Sequence, residues 1–389
     1  MTVRTDSTGI TAAIIEPVGG HGGMDSYTFQ LCDGLVKAGV TPVLYTSDET
    51  DTRRARLFGV RPIFRGIFGS DPALVRGVRF LVAMARVLID VRLKRASILH
   101  FHFFQIGILQ FAFVLLGRLV LRRIVITVHD VEAFVEKRHL RGIDMLTYRL
   151  AHQLIVHNQI SRFELEDRRG VPGRKIEIIP HGHYIQWYAD NPSMQEARTH
   201  LGWPNDKFIV LFFGQLKLTK GLDILLDALP AVVVQEPRVI TVIAGKEAGT
   251  PFSYYEGIIE RNRLSRHVIA VIRYISNDEV PFYFKASNVV VLPYRRIYQS
   301  GVLLLAMSFG VPVVVSDLPG MLEIVHHGET GFVFKGSDAL GLSRLLGALL
   351  GGGGEQAEVC KNARMLLERE HGWEWIGCRT TQVYERLLT

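Results

Sequence analysis

The chain has 389 residues, of which 48% are hydrophobic and 21% are charged, and its formal net charge is +7 at pH 7. This composition excludes an intrinsically disordered chain, and the length predicts two domains of ordinary size. The cysteines Cys32, Cys360 and Cys378 are too far apart in sequence for a disulfide framework or a zinc site. No apolar core follows the first charged residues, so no signal peptide is expected. A reduced, cytosolic setting is predicted.

Short runs rich in β-branched residues alternate with helical patterns along the whole chain. In the first half these runs are AAIIEP (12–17), PVLYTS (42–47), ILHFHF (98–103), IVITVHD (124–130), LIVHN (154–158) and IEIIPHG (176–182). In the second half they are FIVLFFG (208–214), VITVIAG (239–245), VIAVIRYI (268–275), VVVLPY (289–294) and VPVVVSD (311–317). Strands this continuously apolar are covered on both faces, which predicts an α/β protein with parallel sheets.

The strand series begins again after a polar segment, residues 188–206, which is the predicted linker. We therefore predict one Rossmann-like doubly wound domain over residues 1–190 and a second over residues 191–370. Residues 371–389 show helical spacing and are expected to pack back on a domain as a closing helix. Two such domains in tandem predict a cleft between them, where a small molecule would bind.

A basic segment covers residues 53–95. It contains eleven Lys or Arg residues and only two acidic residues, Asp71 and Asp90. Basic side chains interleaved with apolar ones favour an amphipathic helix in contact with an anionic membrane. The alternative is the solvated face of an ordinary surface helix. Nucleic acid is not expected as a partner, because no recognition motif accompanies the charge.

The apolar stretch from Phe103 to Leu121 approaches the length of a membrane-spanning helix. Gln105, Gln110 and Arg118 interrupt it, and predicted strands lie on both sides. A buried helix of the α/β domain is therefore predicted here. The expected location is cytoplasmic, with peripheral contact at the inner face of the cell membrane.

The first strand leads into a glycine loop, residues 17–23, and a helix is predicted to begin near Asp25 or Ser26. Glycines let a ligand approach the backbone, and a helix N-terminus offers free N–H groups to an anion. The spacing is not GxGxxG, because Asp25 occupies the third glycine position. This weakens a nicotinamide-cofactor interpretation.

The second domain opens with two lysines, Lys217 and Lys220, which follow the strand at 208–214 and precede a helix. Cationic side chains at this edge can neutralise a diphosphate, whereas solvated loop lysines are the alternative. Later, Arg295 and Arg296 follow the strand VVVLP and lead into a helix whose predicted N-cap is Ser300. The loop at residues 318–323 is expected above the same sheet edge. Together these features predict a pyrophosphate site.

Histidines recur at strand ends in the first half of the chain. They are His100, His102, His129, His157, His181 and His183. A lone histidine at a strand end is more often structural, but several in succession favour the polar wall of a cleft. Their spacing alone does not exclude metal ligation, yet no metal site is expected.

Read together, these segments resemble the family 4 retaining glycosyltransferases of GT-B fold over nearly the whole chain. The resemblance is carried by GGHGG, TVHD, IIPHG, FFGQLKLTKGLDILLDAL, IAGKE and the long segment from YISNDEV to HHGETGF (274–332). It implies two Rossmann-like domains facing a central cleft, with the acceptor on the N-terminal domain and the nucleotide-sugar on the C-terminal one. The tail resembles the family's closing helix, which crosses back to the first domain.

The resemblance also implies roles at matching positions. Lys220 matches the lysine that binds the donor diphosphate, and Lys217 stands in for a usual arginine whose position holds Gln215. His129 matches a histidine near the transferred sugar, and Lys220 and His129 are the expected catalytic residues. The expected donor-binding residues are Gly22, Gly23, Lys217, Lys220, Ile275, Gln299, Ser300, Gly301 and Glu323.

One departure concerns two glutamates that the family often has. Their positions hold Ile297 and Leu305 here, so Gln299 is the expected substitute for contact with the donor ribose. The implied activity is transfer of a hexosyl group, with retention and without a metal or cofactor, from a UDP- or GDP-sugar to a glycan or lipid-linked acceptor. Polysaccharide or glycolipid synthesis is the expected role.

Two alternatives accompany this interpretation. One is a nucleotide-sugar epimerase of the same architecture, which needs acidic groups as acid and base; Asp130 and Glu132 are the candidates. The other is a catalytically inactive protein that binds nucleotide-sugars, which the missing glutamates make conceivable.

Overall fold

The computed structural model describes residues 8–20, 23–54, 57–104, 106–120, 123–129, 141–352 and 354–389. The chain forms two compact units. Unit 1 comprises Met1–Gly182 together with Glu370–Thr389, and unit 2 comprises His183–Arg369. Each unit contains one parallel sheet with helices on both of its faces, so the predicted α/β class with two Rossmann-like units is confirmed.

Unit 1 contains a seven-stranded parallel sheet in the order β3-β2-β1-β4-β5-β6-β7. Its strands are β1 (Thr11–Glu16), β2 (Thr41–Ser47), β3 (Gly59–Phe64), β4 (Ile98–Phe103), β5 (Ile124–Val128), β6 (Gln153–Val156) and β7 (Ile176–Ile178). Its first helices are α1 (Met24–Lys37), α2 (Ala73–Leu93), α3 (Ile108–Val120), α4 (Arg141–Leu150) and α5 (Gln159–Phe163). Every residue of β4 and β5 is buried, which fits strands that are covered on both faces of the sheet.

Unit 2 repeats this plan with a six-stranded parallel sheet in the order β10-β9-β8-β11-β12-β13. Its strands are β8 (Phe208–Phe213), β9 (Val239–Ala244), β10 (Val268–Val271), β11 (Val289–Leu292), β12 (Val313–Ser316) and β13 (Phe332–Phe334). Its helices are α6 (Met194–Leu201), α7 (Leu222–Gln235), α8 (Phe252–Arg261), α9 (Val280–Ala286), α10 (Gly301–Ser308), α11 (Pro319–Leu322), α12 (Ala339–Leu350) and α13 (Glu355–Glu370). In both sheets the strand order reverses direction, between β1 and β4 and between β8 and β11.

The division between the units falls at residues 182 and 183, earlier than the predicted boundary at residue 190. Residues after the division pack on unit 2. Tyr184, Ile185 and Tyr188 join a hydrophobic core of that unit, and the Tyr184 N–H donates to Ser308 Oγ at 3.0 Å. These apolar contacts hold the segment to unit 2, although its polar sequence suggested a linker.

The last helix, α14 (Trp373–Leu388), belongs to unit 1 and packs on α1. Its Gly377 lies against Gly34 so closely that a Cβ atom on Gly377 would overlap the Gly34 carbonyl oxygen. Glu177 of β7 accepts hydrogen bonds from both Arg379 and Arg386 of the same helix. A close backbone contact and an ion-pair cluster therefore fix α14 on unit 1.

The helix of the α/β domain that was predicted within residues 103–121 is present as α3, but most of its residues are not buried as expected. Only Phe113, Val114 and Gly117 of α3 are buried, because a single face of this short helix meets the sheet. Ile108 and Leu119 are among the apolar residues that it exposes. Among the described helices none is both long enough and apolar enough to cross a membrane.

Candidate functional site

In unit 2 the carboxyl ends of β8 and β11 flank the point where the strand order reverses. Open α/β sheets bind their ligands in the crevice outside this edge. Gly214 directly follows β8 with φ 120°, and a Cβ atom on Gly245 would overlap the Gly214 carbonyl oxygen. The backbone after β8 is therefore packed tightly against the end of β9, which fixes where the next residues begin.

Lys220 closes a short 3₁₀ turn, Leu218–Lys220, that begins right after Lys217. The Lys220 N–H donates to the Lys217 carbonyl at 2.8 Å, so one turn carries both lysines. Gly221 follows with φ 66°, and a Cβ atom there would overlap the Pro293 carbonyl oxygen at the end of β11. Only glycine fits this contact, which holds the lysine turn at the switch point.

The ammonium group of Lys220 lies 3.7 Å from the centroid of the Tyr294 ring. An aromatic face attracts a cation, so this contact orients a long and otherwise mobile side chain. Lys217 and Lys220 are both half-buried, whereas Gln215 is exposed. The structure thus brings the two predicted lysines together and places Gln215 toward solvent.

Helix α10 begins at the same edge, after β11. The predicted N-cap is confirmed: Ser300 Oγ accepts a hydrogen bond from the Leu303 N–H at 3.2 Å. A Cβ atom on Gly301 would lie 3.2 Å from the Tyr184 hydroxyl oxygen. Tyr184 is therefore a neighbour of the helix start that no local sequence signal indicated.

Arg295 was expected among the phosphate-binding cations, but it pairs with a carboxylate of its own unit. Its two terminal nitrogens donate to the two oxygens of Asp223 at 2.6 Å each, and one also donates to the Leu218 carbonyl at 3.1 Å. This bidentate pair raises the pKa of Arg295. Arg295 thus braces the lysine turn against the start of α7.

Three further predicted donor-side residues differ in what they present. The Ile275 side chain is buried in the core of unit 2, so contact with a donor would involve its backbone. Gln299 Oε1 is buried without a hydrogen-bond partner among the described residues, and such an acceptor fits a ligand hydroxyl. Glu323 is exposed at the end of α11. Ile297 and Leu305 pack against the core.

In unit 1 the glycine loop leads from β1 to α1. Gly23 precedes the helix with φ 79°, and the Gly20 N–H donates to Asp25 Oδ1 at 2.9 Å. Gly22 lies outside the described residues. Beneath the loop, Glu16 is fully buried and accepts a hydrogen bond from the Val18 N–H at 2.6 Å. Burial raises the pKa of Glu16 to about 8, and no motif in the sequence marked this residue.

A row of buried histidines lies at the carboxyl edge of the unit 1 sheet. His102 Nδ1 lies 3.2 Å from His129 Nε2, and His129 Nδ1 lies 3.3 Å from His157 Nε2. His157 Nδ1 in turn lies 2.9 Å from the Ile179 carbonyl oxygen. His102, His129 and His157 therefore form one hydrogen-bonded chain, which we call the histidine chain.

The tautomers of the histidine chain follow from its last contact, because a carbonyl oxygen only accepts. His157 Nδ1 must carry the proton, and burial lowers the pKa of His157 to about 4, so its Nε2 is a bare acceptor. His129 then donates through Nδ1 and accepts through Nε2 from His102. Burial, with the charge of neighbouring histidines, also lowers the pKa of His129 and His102. His102 Nε2 is left as a buried acceptor without a described partner.

The other histidines have separate contacts. His100 bonds Tyr384 and Thr127 at 2.6 and 2.7 Å, so it ties α14 to the sheet. His183 lies in unit 2, outside the predicted row. Asp130 and Glu132, the candidates of the epimerase interpretation, lie outside the described residues. In the described ranges no three His, Cys, Asp or Glu side chains form a group suited to a metal ion.

Two protein families match the chain. The one described as Glycosyltransferase Family 4 matches residues 21–186, and the one described as Glycosyl transferases group 1 matches residues 193–365. Together they account for both units.

Curated relatives are about a quarter identical to this chain over the residues that align. An uncharacterized glycosyltransferase of Methanocaldococcus jannaschii is 26% identical over 259 residues, 64% of each chain. A D-inositol 3-phosphate glycosyltransferase of Streptomyces scabiei is 25% identical over 61% of this chain and 54% of its own. A GDP-mannose:glycolipid 4-beta-D-mannosyltransferase of Xanthomonas campestris is 28% identical over 53% of this chain and 52% of its own. The match thus spans between about half and two thirds of these relatives.

Solved structures show the same fold over almost the full length. Sucrose-phosphate synthase from Thermosynechococcus elongatus has a TM-score of 0.77 at 21% identity, covering 97% of this chain and 99% of its own. The Anabaena protein HepE in complex with UDP-glucose also has a TM-score of 0.77, at 18% identity, covering 97% of this chain and all of its own.

Proposed function

The chain belongs to the family 4 glycosyltransferases, and from this we propose that it transfers a hexosyl group from a UDP- or GDP-sugar to a glycan or lipid-linked acceptor. The observation that carries the proposal is the edge of the unit 2 sheet, where the lysine turn and the capped start of α10 follow neighbouring strands. Polysaccharide or glycolipid synthesis is the role that we propose.

The cations of unit 2 suit a departing diphosphate. When the bond between the anomeric carbon and the phosphate oxygen breaks, the electron pair leaves with the nucleoside diphosphate. Lys217, Lys220 and the N–H groups at the start of α10 would stabilise this charge, which grows toward the transition state. Groups already held in place, as Lys220 is by Tyr294, do so without reorganisation. We propose that transfer proceeds in this way without a metal ion and with retention at the anomeric carbon.

Names of similar proteins support a nucleotide-sugar donor. HepE was solved with UDP-glucose, and the Xanthomonas relative is named for GDP-mannose, so either base fits the family. Gln299 Oε1, a buried acceptor, is the residue that we propose for the donor ribose. We propose backbone contacts for Ile275 and keep Gly22, Gly23 and Glu323 as donor-side residues.

His129 is the residue that we propose on the sugar side. Both of its ring nitrogens contact other histidines, so a sugar hydroxyl that donates to His129 Nε2 would replace the His102 N–H. Burial keeps His129 neutral, and because its Nδ1–H donates to His157, its Nε2 is the acceptor that it offers to a sugar hydroxyl.

The acceptor is proposed from charge and from the names of relatives. One relative is named for a glycolipid acceptor, and the basic segment 53–95 would bring the enzyme to anionic lipid by peripheral contact. A lipid-linked acceptor in such a membrane would then be within reach.

The proposal is tested in two steps. UDP-, GDP- and dTDP-sugars are first screened for thermal stabilisation, since a ligand that binds the folded state raises its melting temperature. The stabilising donor is then supplied with its sugar radiolabelled, with candidate acceptors, in excess EDTA. We expect a labelled glycoside. An epimerised sugar nucleotide would establish the epimerase alternative. Thermal stabilisation by a donor without any product would show that the protein binds nucleotide-sugars but is inactive. Activity that EDTA abolishes and Mg²⁺ or Mn²⁺ restores would contradict the metal-free mechanism alone.

A further inference from the structure

Helix α2 is apolar on two opposite faces. Its inner face, which includes Phe80, Met84 and Val87, is buried against the unit 1 sheet. Its outer face exposes Leu74, Val75, Val78, Leu81, Val82, Ile89 and Leu93. Leu74 is 80% exposed and Leu93 is 76% exposed, so these side chains contribute nothing to the core. A soluble helix normally carries polar residues there.

Helix α3 lies beside α2 and has the same property. It exposes Ile108, Leu115, Leu116, Leu119 and Val120, and Leu119 is 75% exposed. Both helices cover the same face of the unit 1 sheet, because their buried residues join one core. The apolar α7 of unit 2 is a useful contrast: Val234 is its only large hydrophobic residue that is exposed. The outer sides of α2 and α3 thus form one apolar surface, which we call the α2–α3 surface.

Cationic side chains border this surface. Arg86, Arg92, Lys94 and Arg95 are exposed, and none of them forms an ion pair with a residue in the described ranges. Tyr45 bonds the only acidic side chain of α2, Asp90, at 2.8 Å. The border of α2 is therefore positively charged over its C-terminal half.

A second group of cations lies at the C-terminal end of α3. Arg118 contacts His152, and Lys175 Nζ donates to the Arg149 and Ala151 carbonyls at 2.9 Å each. The pKa of His152 is lowered to about 4. Burial is the largest cause, and the positive charges of Arg118, Arg123 and Lys175 are the next largest. Positive charges are therefore gathered next to Leu119 and Val120.

We propose that the α2–α3 surface docks on an anionic lipid bilayer, with its apolar side chains inserted among the lipids and its cations on the headgroups. Apolar contact and positive charge are the two features that interfacial membrane binding requires, and an anionic bilayer complements both. The proposed docking goes beyond the contact of the basic segment 53–95, because α3 also contributes to the surface and insertion contributes to affinity. It does not depend on the proposed sugar transfer.

The test is sedimentation of the full chain with vesicles, without any nucleotide-sugar. One vesicle contains phosphatidylcholine alone and the other equal parts of phosphatidylcholine and phosphatidylglycerol. We expect binding to the anionic vesicle at least about tenfold tighter than to the neutral one, with part of it surviving high salt because insertion is not screened.

Three variants separate the parts of the surface. Leu81→Gln with Ile89→Gln removes apolar contact from α2, and Ile108→Gln with Leu119→Gln removes it from α3. Each pair should weaken binding about tenfold or more and abolish the salt-resistant part. The control, Val234→Gln with Leu340→Gln, changes exposed apolar residues of unit 2 and should bind like the parent protein.

Several outcomes would overturn the proposal. Equal binding to both vesicles removes the role of charge, and complete release by salt with unaffected glutamine variants removes insertion. Loss confined to the α2 pair removes α3. No vesicle binding, together with a dimer in analytical ultracentrifugation that the α3 pair dissociates, would show that a second copy of the chain covers the surface.

Discussion

His157 Nδ1–H donates a hydrogen bond to the carbonyl oxygen of Ile179 at 2.9 Å. This bond determines which ring nitrogen carries the proton in two other histidines. Since His157 Nε2 can then only accept, His129 must donate to it, and His102 must donate to His129. All three histidines are expected as neutral Nδ1–H tautomers. Nitrogen chemical shifts of the imidazole rings would show a protonated Nδ1 and a bare Nε2 in each.

His129→Ala should lower turnover at least about 100-fold, as for loss of a positioned polar group at a reacting centre. Binding of the free nucleoside diphosphate should be nearly unchanged, because the phosphate-binding residues that we propose belong to unit 2. His157→Gln is the matched control, since it changes the neighbouring member of the histidine chain and leaves the His129 side chain in place. Turnover and nucleotide affinity are measured well below both melting temperatures. An equal loss of turnover in the two variants would make His129 a structural residue.

Acid should begin to destabilise the protein just below neutral pH, because six buried histidines have a lowered pKa in the folded state. They are His100, His102, His129, His157, His181 and His371. Below about pH 6.5 the unfolded chain binds protons that the folded chain excludes, so the free energy of unfolding falls as pH falls. Each histidine contributes up to about 1.4 kcal/mol per pH unit until its own folded pKa is reached. Urea unfolding between about pH 7 and pH 5 measures the slope; a flat profile would contradict neutral histidines.

The buried Glu16 should make the free energy of unfolding depend on pH in the opposite direction, falling as pH rises. Its pKa is raised to about 8 in the folded state. At a pH between the ordinary pKa of a glutamate and about 8, the folded state therefore keeps a proton that the unfolded chain has released. The stabilisation is complete below the unfolded pKa and is lost as pH rises toward about 8, with a slope of up to about 1.4 kcal/mol per pH unit.

Glu16→Gln, which is neutral and still offers an acceptor to the Val18 N–H, should flatten the profile between about pH 6.5 and pH 8. The exposed Glu358→Gln is the control and should leave it as it was. A variant profile as steep as that of the parent protein would mean that Glu16 is ionised under its glycine loop.

Lys220→Ala should reduce turnover by about 100- to 1000-fold, corresponding to about 3–4 kcal/mol of transition-state stabilisation. The effect arises because the ammonium opposes charge that grows as the diphosphate leaves. Lys361→Ala removes an exposed lysine of α13 and should have no effect. Near-normal turnover of a folded Lys220→Ala protein would mean that this lysine only packs on Tyr294.

Gly377→Ala should destabilise the protein by more than about 1 kcal/mol, because the new methyl group would overlap the Gly34 carbonyl and push α14 off α1. The control is Gly257→Ala in α8, where a Cβ atom meets nothing within 4 Å. There alanine should stabilise by up to about 1 kcal/mol through its helix propensity. Chemical denaturation of both variants measures the difference, and a stabilised Gly377→Ala would show that the two helices have room to separate.

The sequence predicted what depends on local pattern. Apolar runs located the strands, and the capping residue Ser300 marked the start of α10, because both are set by neighbours in the chain. The lysines were correctly assigned to one sheet edge, since residues that follow parallel strands meet there. Their exact surroundings, such as the Tyr294 ring under Lys220, required the structure.

What the sequence did not indicate depends on residues that are distant in the chain. Asp223 pairs with Arg295, and the Tyr184 hydroxyl lies next to Gly301. The hydrogen-bond partners of His129 are determined by which strands are neighbours in the sheet. The outward face of α3 was missed for a similar reason: an apolar run shows that a helix is hydrophobic, not which of its sides the sheet covers.

The return of α14 to unit 1 gives the two units different histories during synthesis. Unit 2 is one uninterrupted segment, so all of its residues are synthesised before α14. Unit 1 is made of two segments, and until the second arrives, Gly34 of α1 and the carboxylate of Glu177 lack the partners that α14 supplies. The half of the protein that is translated first is therefore the half that is completed last, and the α1 face that α14 covers stays exposed until then.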